Sequence, residues 1–490
     1  MPVSTTTEAG TGFEVALRLD TEDFLTPESD DALVRILDAL DARGLTATFP
    51  LVGEKLRSWR RRGRSDLVGR LGRHAVGYHS DTHSMHPTIA EELAPLPWQE
   101  ACAAFAARER AGFDLVAATF GPPVCWTQPG GNWTASALPV LASWGVPMEF
   151  SEAWNSYLDV GAVPCRYGGV LHWSPPVSAP KPFLSGLPRN LTEAIDVVRR
   201  GRDTGAAAPV CVVAHPTELC TEAFWDTVNF AGGKSASPQD WRPAPVRPTA
   251  DVDAAAAALA GYLDALQRMG ASFVTAADLA RRHPDLAAGA LVPAAAIRDL
   301  ASLAGSGPNA AVCAGLAISP AEIFALVGAA LADDPELRRS ATIRPCNGPA
   351  AAAPLLPAPA AADRAALVTA ARHCRAFIAE HGRIPEAVPL GTVAVPPASF
   401  LMAAARLLAD PAADGATLTP AALACTRIVK PKERLHWDWP IFPPGFAPLG
   451  LLEAARLQAW TWKPAPPRPV RPDWLADRWR PASPESQPVI

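Results

Sequence analysis

Ala75-Val76-Gly77-Tyr78-His79-Ser80-Asp81-Thr82-His83-Ser84-Met85-His86 is the stretch whose reading decides the fold. It begins as a short apolar strand and ends with two histidines four apart, a hydroxyl residue following the first. Zinc–nitrogen bonds are about 2.0–2.1 Å long, so two imidazoles sharing an ion lie only a few ångströms apart. Along an extended strand, residues four apart are separated by about 13 Å at ~3.3 Å per residue. In a helical turn their Cβ atoms come within about 5–6 Å. His79 and His83 therefore share a metal only if 79–83 is a turn, most naturally directly after a strand. Ten histidines in 490 residues also fall four apart by chance. The rest of the chain must supply what the pair lacks.

Upstream, Phe13-Glu-Val-Ala-Leu-Arg-Leu19 reads as a first strand ending in Asp20-Thr21-Glu22-Asp23. Carboxylates this crowded are costly unless something cationic sits among them. The bland alternative is a helix N-terminus, where acids suit the dipole. Asp30 to Arg43 is an amphipathic helix with Leu33, Ile36, Leu37 and Leu40 on one face, ended by Gly44. Leu45 to Leu51 is a second strand, and a helical region follows to Leu71 with a break at Gly63. His74 to Tyr78 is the third strand. The acids thus follow strand one and the histidines follow strand three. Strand–helix alternation implies a parallel sheet or barrel. In such folds the C-terminal ends of the strands share one face, where sites form.

Downstream, Trp98 to Thr119 is a long helix and Pro122 to Trp126 a strand. Thr127-Gln-Pro-Gly-Gly-Asn-Trp-Thr134 is its loop, which makes Gln128, Gly130 and Trp133 candidates for substrate binding. Thr134 to Trp144 is helical, Gly145 to Phe150 strand-like, Val163 to Trp173 a short strand or hairpin, and Leu191 to Arg200 helical. Pro209-Val-Cys-Val-Val-Ala214 is the cleanest buried strand, and it ends in His215, a candidate acid/base. Thr221 to Pro248 is a long irregular loop, of the kind that is often functional. Asp251 to Met269 is a helix, Ala271 to Thr275 a last strand, and Ala276 to Arg282 closes the unit.

Composition bounds the rest. A chain of 490 residues, 49% hydrophobic and 19% charged, is globular and long enough for two or three domains. Net charge is −5, and Trp59-Arg60-Arg61-Arg62 is a solvated helix face rather than a nucleic-acid tract, so no nucleic-acid partner is expected. Nine scattered cysteines with no CxxC pair are not a disulfide framework and fit a reducing compartment. The first residues carry no signal-peptide pattern and no apolar run of ~18 residues predicts a membrane span. The expectation is a cytoplasmic protein, with export left open if the start is misassigned.

The order of these motifs resembles the polysaccharide deacetylase (NodB-homology, carbohydrate esterase 4-like) family over about residues 13–283. Leu19-Asp20-Thr21-Glu22-Asp23 stands where that family has an Asp pair after its first strand. Arg43 to Phe49 with Val52-Gly-Glu54 resembles its next strand, and His79-Ser80-Asp81-Thr82-His83 matches its His-[Ser/Thr]-x-x-His motif. His215 stands at its last histidine, and Phe273 to Leu279 at its usual end. The resemblance implies a distorted (β/α) barrel. It implies a metal-dependent hydrolase of non-peptide C–N bonds, an N-deacetylase of a sugar or polysaccharide. The ion is divalent, Zn²⁺ foremost, with Co²⁺, Ni²⁺, Mn²⁺ and Fe²⁺ as alternatives. Asp20 is then the base that deprotonates the attacking water, and His79 and His83 are metal ligands. The third ligand is Glu22 or Asp23; family members that space the two acids by one residue favour Glu22. His215 protonates the leaving amine. One departure is plain. The family places an Arg before the Pro of its third motif, whereas Trp126-Thr-Gln-Pro-Gly-Gly131 has none. Gln128 or Thr127 can hydrogen-bond Asp20 but brings no charge, so another cation must compensate or the substrate must differ. The family's Asp–Trp motif is not recognisable; Glu149, Glu152 and Trp154 are the nearest groups. His86 reads as a loop or supporting residue.

Residues 285–490 lie outside the resemblance. The expected organisation is a flexible start (1–12), the deacetylase-like barrel (13–284), a mostly α-helical domain (285–465) and a Pro/Trp-rich tail (466–490). Within the helical domain, 318–333 and 395–410 form a candidate repeat, identical at Pro320/Pro397, Ala321/Ala398, Leu331/Leu408, Ala332/Ala409 and Asp333/Asp410. Phe377 to Val388 with the helix at Pro397 weakly resembles pseudomurein-binding repeats. That implies a cell-wall or protein contact through this half, against the plainer reading of a packing domain. Trp437, Trp439, Trp460, Trp462, Trp474 and Trp479 can stack on sugar or pin the tail to the barrel. Two other readings stand beside the deacetylase. One is a non-catalytic carbohydrate- or wall-binding protein on a degenerate barrel. The other is a hydrolase of a cyclic or other small non-sugar amide.

Overall fold

The computed structural model describes residues 13–151, 156–160, 164–174, 178–179, 187–203, 209–332, 340–431 and 439–466. The first half alternates strands and helices as expected. Strand β1 (Phe13–Leu19) is followed by the helix Glu28–Asp41, β2 (Thr48–Leu51) by helices Gly53–Arg62 and Ser65–Leu71, and β3 (Ala75–Tyr78) by the long helix Trp98–Phe120. Then come β4 (Met148–Phe150), β5 (Cys165–Tyr167), β6 (Val170–Trp173), β7 (Ser178–Ala179), β8 (Val210–Ala214) and β9 (Ala271–Val274). Gly63 takes the left-handed backbone (φ +70°) that ends the first of the paired helices. The expected strand at 122–126 is reduced to Trp126, which bridges Tyr78 on one side and Glu149 on the other. The long loop 221–248 contains the short helix Trp225–Phe230.

The pairings around β1, with β2, β8 and β9, are all parallel. This α/β sheet runs β3-β2-β1-β8-β7, and Trp126 carries it on to β4 and β6. Ala16, Cys125, Met148, Phe150, Leu171, Trp173, Cys211, Val213 and Val274 form one buried cluster. They come from strands at both ends of the order, so the sheet curves around them. Residues of opposite parity, such as Val15, Leu17 and Leu19, join the larger cluster that the helices cover. This is the period-two alternation of a strand buried on both faces.

Among the described residues the second half is not mostly helical. Its helices Ala294–Ala304, Pro320–Leu331, Arg364–His381, Pro397–Ala409 and Leu449–Leu457 are interleaved with four two-stranded antiparallel pairs. Alanine-rich periodicity pointed to the helices, but three-residue strands leave too short a pattern to read. Two segments share one element order: strand, helix, hairpin, helix, returning strand. In the first, Leu291–Pro293 pairs with Ser340–Thr342 around the hairpin 311–318; in the second, Ala360–Asp363 pairs with Gly415–Leu418 around the hairpin 388–395. Phe324 and Phe400, on the Pro-initiated helices of the two segments, pack 5.6 Å apart. The stretch Lys463–Pro464 returns to the first half and pairs antiparallel with β5. Among the described residues no helix is long and apolar enough to cross a membrane. The expectations for 1–12, for Glu152, Trp154, Asp333, Trp437, Trp474 and Trp479, and for nearly all of the 466–490 tail lie outside the described residues.

Candidate metal centre

Three side chains that the sequence keeps far apart meet beyond the ends of β1 and β3. Glu22, His79 and His83 are buried, and one ligand atom from each lies within 4.8 Å of the others. Glu22 Oε2 is 3.0 Å from His79 Nε2 and 2.9 Å from His83 Nε2. The backbone builds this from the strand outward. Thr21 still bridges Leu51, so the chain remains extended past β1 and Arg18, Asp20 and Glu22 point to one side. Asp23 has the opposite parity and leaves the group. Its Oδ1 accepts the backbone N–H groups of Leu25 and Thr26, and its Oδ2 accepts the Thr217 hydroxyl. Asp23, one of the two candidates for the third ligand, is thereby corrected to a turn-capping residue ahead of the helix Glu28–Asp41. The competing reading of these acids as helix-start residues does not hold: the helix begins at Glu28 after Pro27, with no side-chain cap.

Segment 79–83 is the turn the spacing required. Ser80 and His83 both have positive φ (69° and 50°), a conformation that costs non-glycine residues energy and persists only where the surroundings impose it. The His83 N–H donates to Ser80 Oγ, and the Asp81 N–H donates to the buried Glu109 carboxylate. Arg57 grips both oxygens of Asp81 at 2.7 and 3.1 Å.

Each histidine is held from behind. The Nδ1 of His79 is 2.9 Å from the Thr127 carbonyl, which can only accept, so the proton sits on Nδ1. Ser84 donates to Asp226 Oδ2 at 2.9 Å and so accepts from His83 Nδ1 at 2.6 Å. Both rings therefore aim Nε2 inward, in the tautomer a ligand needs. His83 Nε2 is buried and lacks hydrogen-bond geometry despite its closeness to Glu22, which is the situation of a ligand atom. Two imidazole nitrogens and one carboxylate oxygen are an open-sided donor set of the catalytic type. The residues present fit a divalent ion. Burial pushes Glu22 up, but the neighbouring His83 and His215 charges outweigh it and hold its carboxyl well below the usual range. Burial lowers His83, and the Glu22 carboxylate overcomes this and raises it.

Asp20 and His215 stand beside this group. His215 follows β8, and its Nε2 lies 3.7 Å from Asp20 Oδ2 and 4.0 Å from Glu22 Oε2. Its Nδ1 is 3.3 Å from Glu218 Oε1. The cation that sequence reading sought near Gln128 is Arg18. Its guanidinium grips Asp20 Oδ1 and Oδ2 at 3.0 and 2.8 Å, donates to the Phe150 carbonyl, and is itself buried. Burial pushes Asp20 up, and Arg18, His79 and His215 together bring it below its ordinary value. The signal for Arg18 was available: an arginine within the apolar run Val15–Leu19, two residues before the acid. Trp225 was also missed; its indole N–H donates to Glu22 Oε1 at 2.8 Å.

The remaining expectations divide. Gln128 is buried and accepts from Ser151 at Oε1. Gly130 lies against the indole of Trp439. Trp133 is not at the site: it packs among Tyr157, Tyr167 and His172 in the core. Glu149 pairs with His172 there as well. His86 bonds Glu91 through Nδ1 and donates from Nε2 to the Phe230 carbonyl, away from the group.

Solved structures of family 4 carbohydrate esterases and polysaccharide deacetylases match about half of the chain. A putative polysaccharide deacetylase from Mycobacterium smegmatis is 16% identical over 57% of this chain and 92% of its own, with a TM-score of 0.35. A family 4 carbohydrate esterase from Streptomyces lividans, solved with acetate, is 16% identical over 53% of this chain and 91% of its own, with a TM-score of 0.30. A family 4 pseudoenzyme from Bacillus anthracis is 14% identical over 55% of this chain and 66% of its own, with a TM-score of 0.31. Identities and TM-scores this low carry no argument about activity; the side-chain geometry does. No family model and no curated protein matches the chain. The likeness of 377–410 to pseudomurein-binding repeats is therefore unsupported.

Proposed function

We propose that the chain is a metal-dependent hydrolase of a non-peptide amide C–N bond, its substrate an N-acetylated sugar or polysaccharide, on a distorted (β/α) barrel of the polysaccharide deacetylase type. One observation carries this reading. Glu22, His79 and His83 can hold an ion together, and His215 stands 4.0 Å from Glu22 and 3.7 Å from the ion-paired Asp20. The set suits Zn²⁺ first, with Co²⁺, Ni²⁺, Mn²⁺ and Fe²⁺ as alternatives. When bound, such an ion supplies Lewis-acid polarisation of the carbonyl and a more acidic water.

The residues of the chain do the rest. Asp20 accepts the proton of the attacking water, and Arg18 fixes the orientation of its carboxylate and keeps it ionised. His215 Nε2 faces the same space and gives its proton to the departing nitrogen. Thr127 and the Ser84–Asp226 pair hold the imidazoles of His79 and His83 in register. Burial of all five groups keeps bulk water from screening them.

The non-catalytic reading drew its motive from the missing third-motif arginine; the Arg18 guanidinium on both oxygens of Asp20 supports the catalytic one. Metal analysis joined to an amide-substrate panel tests the proposal. Wild type is expected to carry about one divalent ion per chain, and His79→Ala and His83→Ala to lose it. Asp20→Asn is expected to keep the ion and lose turnover. Full metal content in both histidine variants, or glycan binding without acetate release that Asp20→Asn leaves unchanged, would overturn it.

A further inference from the structure

Trp439, a residue from the far half of the chain, packs against the elements that carry the site. The five groups that would bind the ion or move protons, Asp20, Glu22, His79, His83 and His215, are each no more than 5% exposed. Two walls approach one another above them. One is the loop after Trp126, whose Thr127 holds His79 and whose Gly130 follows three residues later. The other is Phe224, whose ring stands edge-on to His215 with centroids 5.1 Å apart. Trp439 touches both. A Cβ at Gly130 would lie 3.2 Å from the indole Cδ1 and Nε1, so the indole rests directly on that backbone. Its other contact is an edge-on approach to Phe224 at 5.6 Å.

Trp439 is also fastened. Its Nε1–H donates to Asp226 Oδ2 at 3.1 Å, the same oxygen that receives the Ser84 hydroxyl behind His83. The next residues are tied to the same wall: the N–H groups of Gly232 and Gly233 donate to the carbonyls of Pro440 and Ile441, both at 2.8 Å. A Cβ at Gly233 would come within 2.7 Å of Pro443 Cγ, so strap and wall are in close contact. A long glycan cut at an internal unit needs a cleft open on both sides of the reacting unit. An indole braced across the gap denies one.

We propose that Trp439 is the specificity-determining residue of this centre, restricting it to a small N-acyl compound of one sugar-sized unit or less rather than an internal unit of a long glycan. This rests on the hydrolase reading above for the reaction, but not for the closure.

The test compares zinc-loaded wild type with Trp439→Ala and Trp439→Leu in the full chain. The first readout needs no substrate: the rate at which EDTA strips the zinc. Opening the mouth is expected to speed stripping about tenfold or more in Trp439→Ala, with Trp439→Leu between it and wild type. The second readout is kcat/KM on N-acetylglucosamine-sized amides against the corresponding hexamer. Wild type is expected to favour the single unit, and Trp439→Ala to shift that ratio about tenfold toward the hexamer. If Trp439→Ala does not fold, Trp439→Leu, which keeps apolar bulk against Phe224, carries both readouts. Equal wild-type action on monomer and hexamer overturns the size restriction, and unchanged stripping in the folded variants overturns the closure. A protein that holds zinc but cleaves no amide overturns the hydrolase reading and with it the substrate class, while stripping still decides whether Trp439 closes the site.

Discussion

Arg18 and Asp20 sit two residues apart on one extended segment, and the guanidinium binds both carboxylate oxygens at 3.0 and 2.8 Å inside the curved sheet. The pairing is local in sequence and buried in space. It supplies the charge that the 126–131 loop lacks. A bidentate fork fixes direction as well as charge, which a lysine does not reproduce. Arg18→Met is expected to lower kcat about 10²-fold while metal content is retained, because the base loses its orientation. Arg18→Lys should fall between the two. Steady-state kinetics with metal analysis checks this, and an unchanged kcat in folded Arg18→Met would remove Arg18 from the mechanism.

Ser84 would act on a bound ion through His83. It accepts from Nδ1 at 2.6 Å and passes the contact to Asp226 at 2.9 Å. Residues that orient a ligand in this way are typically worth about 10–100-fold in metal affinity. Ser84→Ala is expected to weaken zinc binding by that order, measured by competition with a chelating indicator, with the secondary structure intact by circular dichroism.

Gly112 lets the helix Trp98–Phe120 lie against the 79–83 turn. A Cβ there would stand 2.6 Å from Asp81 Cγ and 2.7 Å from its Cβ, and both sides of the contact are buried. Overpacking of this kind costs about 1–3 kcal/mol. Gly112→Ala is expected to lose that much in urea denaturation. Gly261, on the helix Thr249–Arg268, meets nothing within 4 Å. Gly261→Ala should stabilise by about 0.5–1 kcal/mol through helix propensity. The two substitutions, alike in chemistry, should differ in sign.

Asp30 anchors a buried charge cluster beneath the acids of the site. Its Oδ1 is 2.8 Å from Lys55 Nζ, and Arg62 and the Trp59 indole N–H donate to the same carboxylate. Burial pushes Asp30 up, but Lys55 and Arg62 outweigh it and the folded-state value lies below the ordinary 3.8. A depressed carboxylate stabilises the fold fully above its unfolded value and loses that contribution as pH falls through the folded one. Asp30→Asn should therefore cost about 3–5 kcal/mol at neutral pH, since it leaves Lys55 buried without its partner. The gap between wild type and variant should narrow only below pH 3.8. A gap that is constant down to pH 3 would show that the charge of Asp30 contributes nothing.

The alternation of apolar strands and amphipathic helices in the first half is local information, and so is the fact that acids and histidines fall at strand ends. The sequence by itself therefore determined the parallel α/β order and the grouping of Asp20, Glu22, His79, His83 and His215 at one end of the sheet. Strand parity could in principle have separated Glu22 from Asp23, since residues two apart face one way. It needed the chain to stay extended past Leu19, which only the bridge from Thr21 to Leu51 ensures. Arg18 shares the parity of Asp20 and Glu22 for the same reason, but only the fold shows that its guanidinium turns onto Asp20. Trp133 looked like a site residue by position in that loop, and packing against Tyr157 and Tyr167 took it into the core. The short strands of the second half are too brief for periodicity to register. The placing of Trp439 over Gly130 was decided by tertiary structure alone, since residues more than 300 apart carry no common period. Their contact exists because the strap is hydrogen-bonded to Gly232 and Gly233 and the strand Lys463–Pro464 is paired to β5, which bring 439–464 back against the first half.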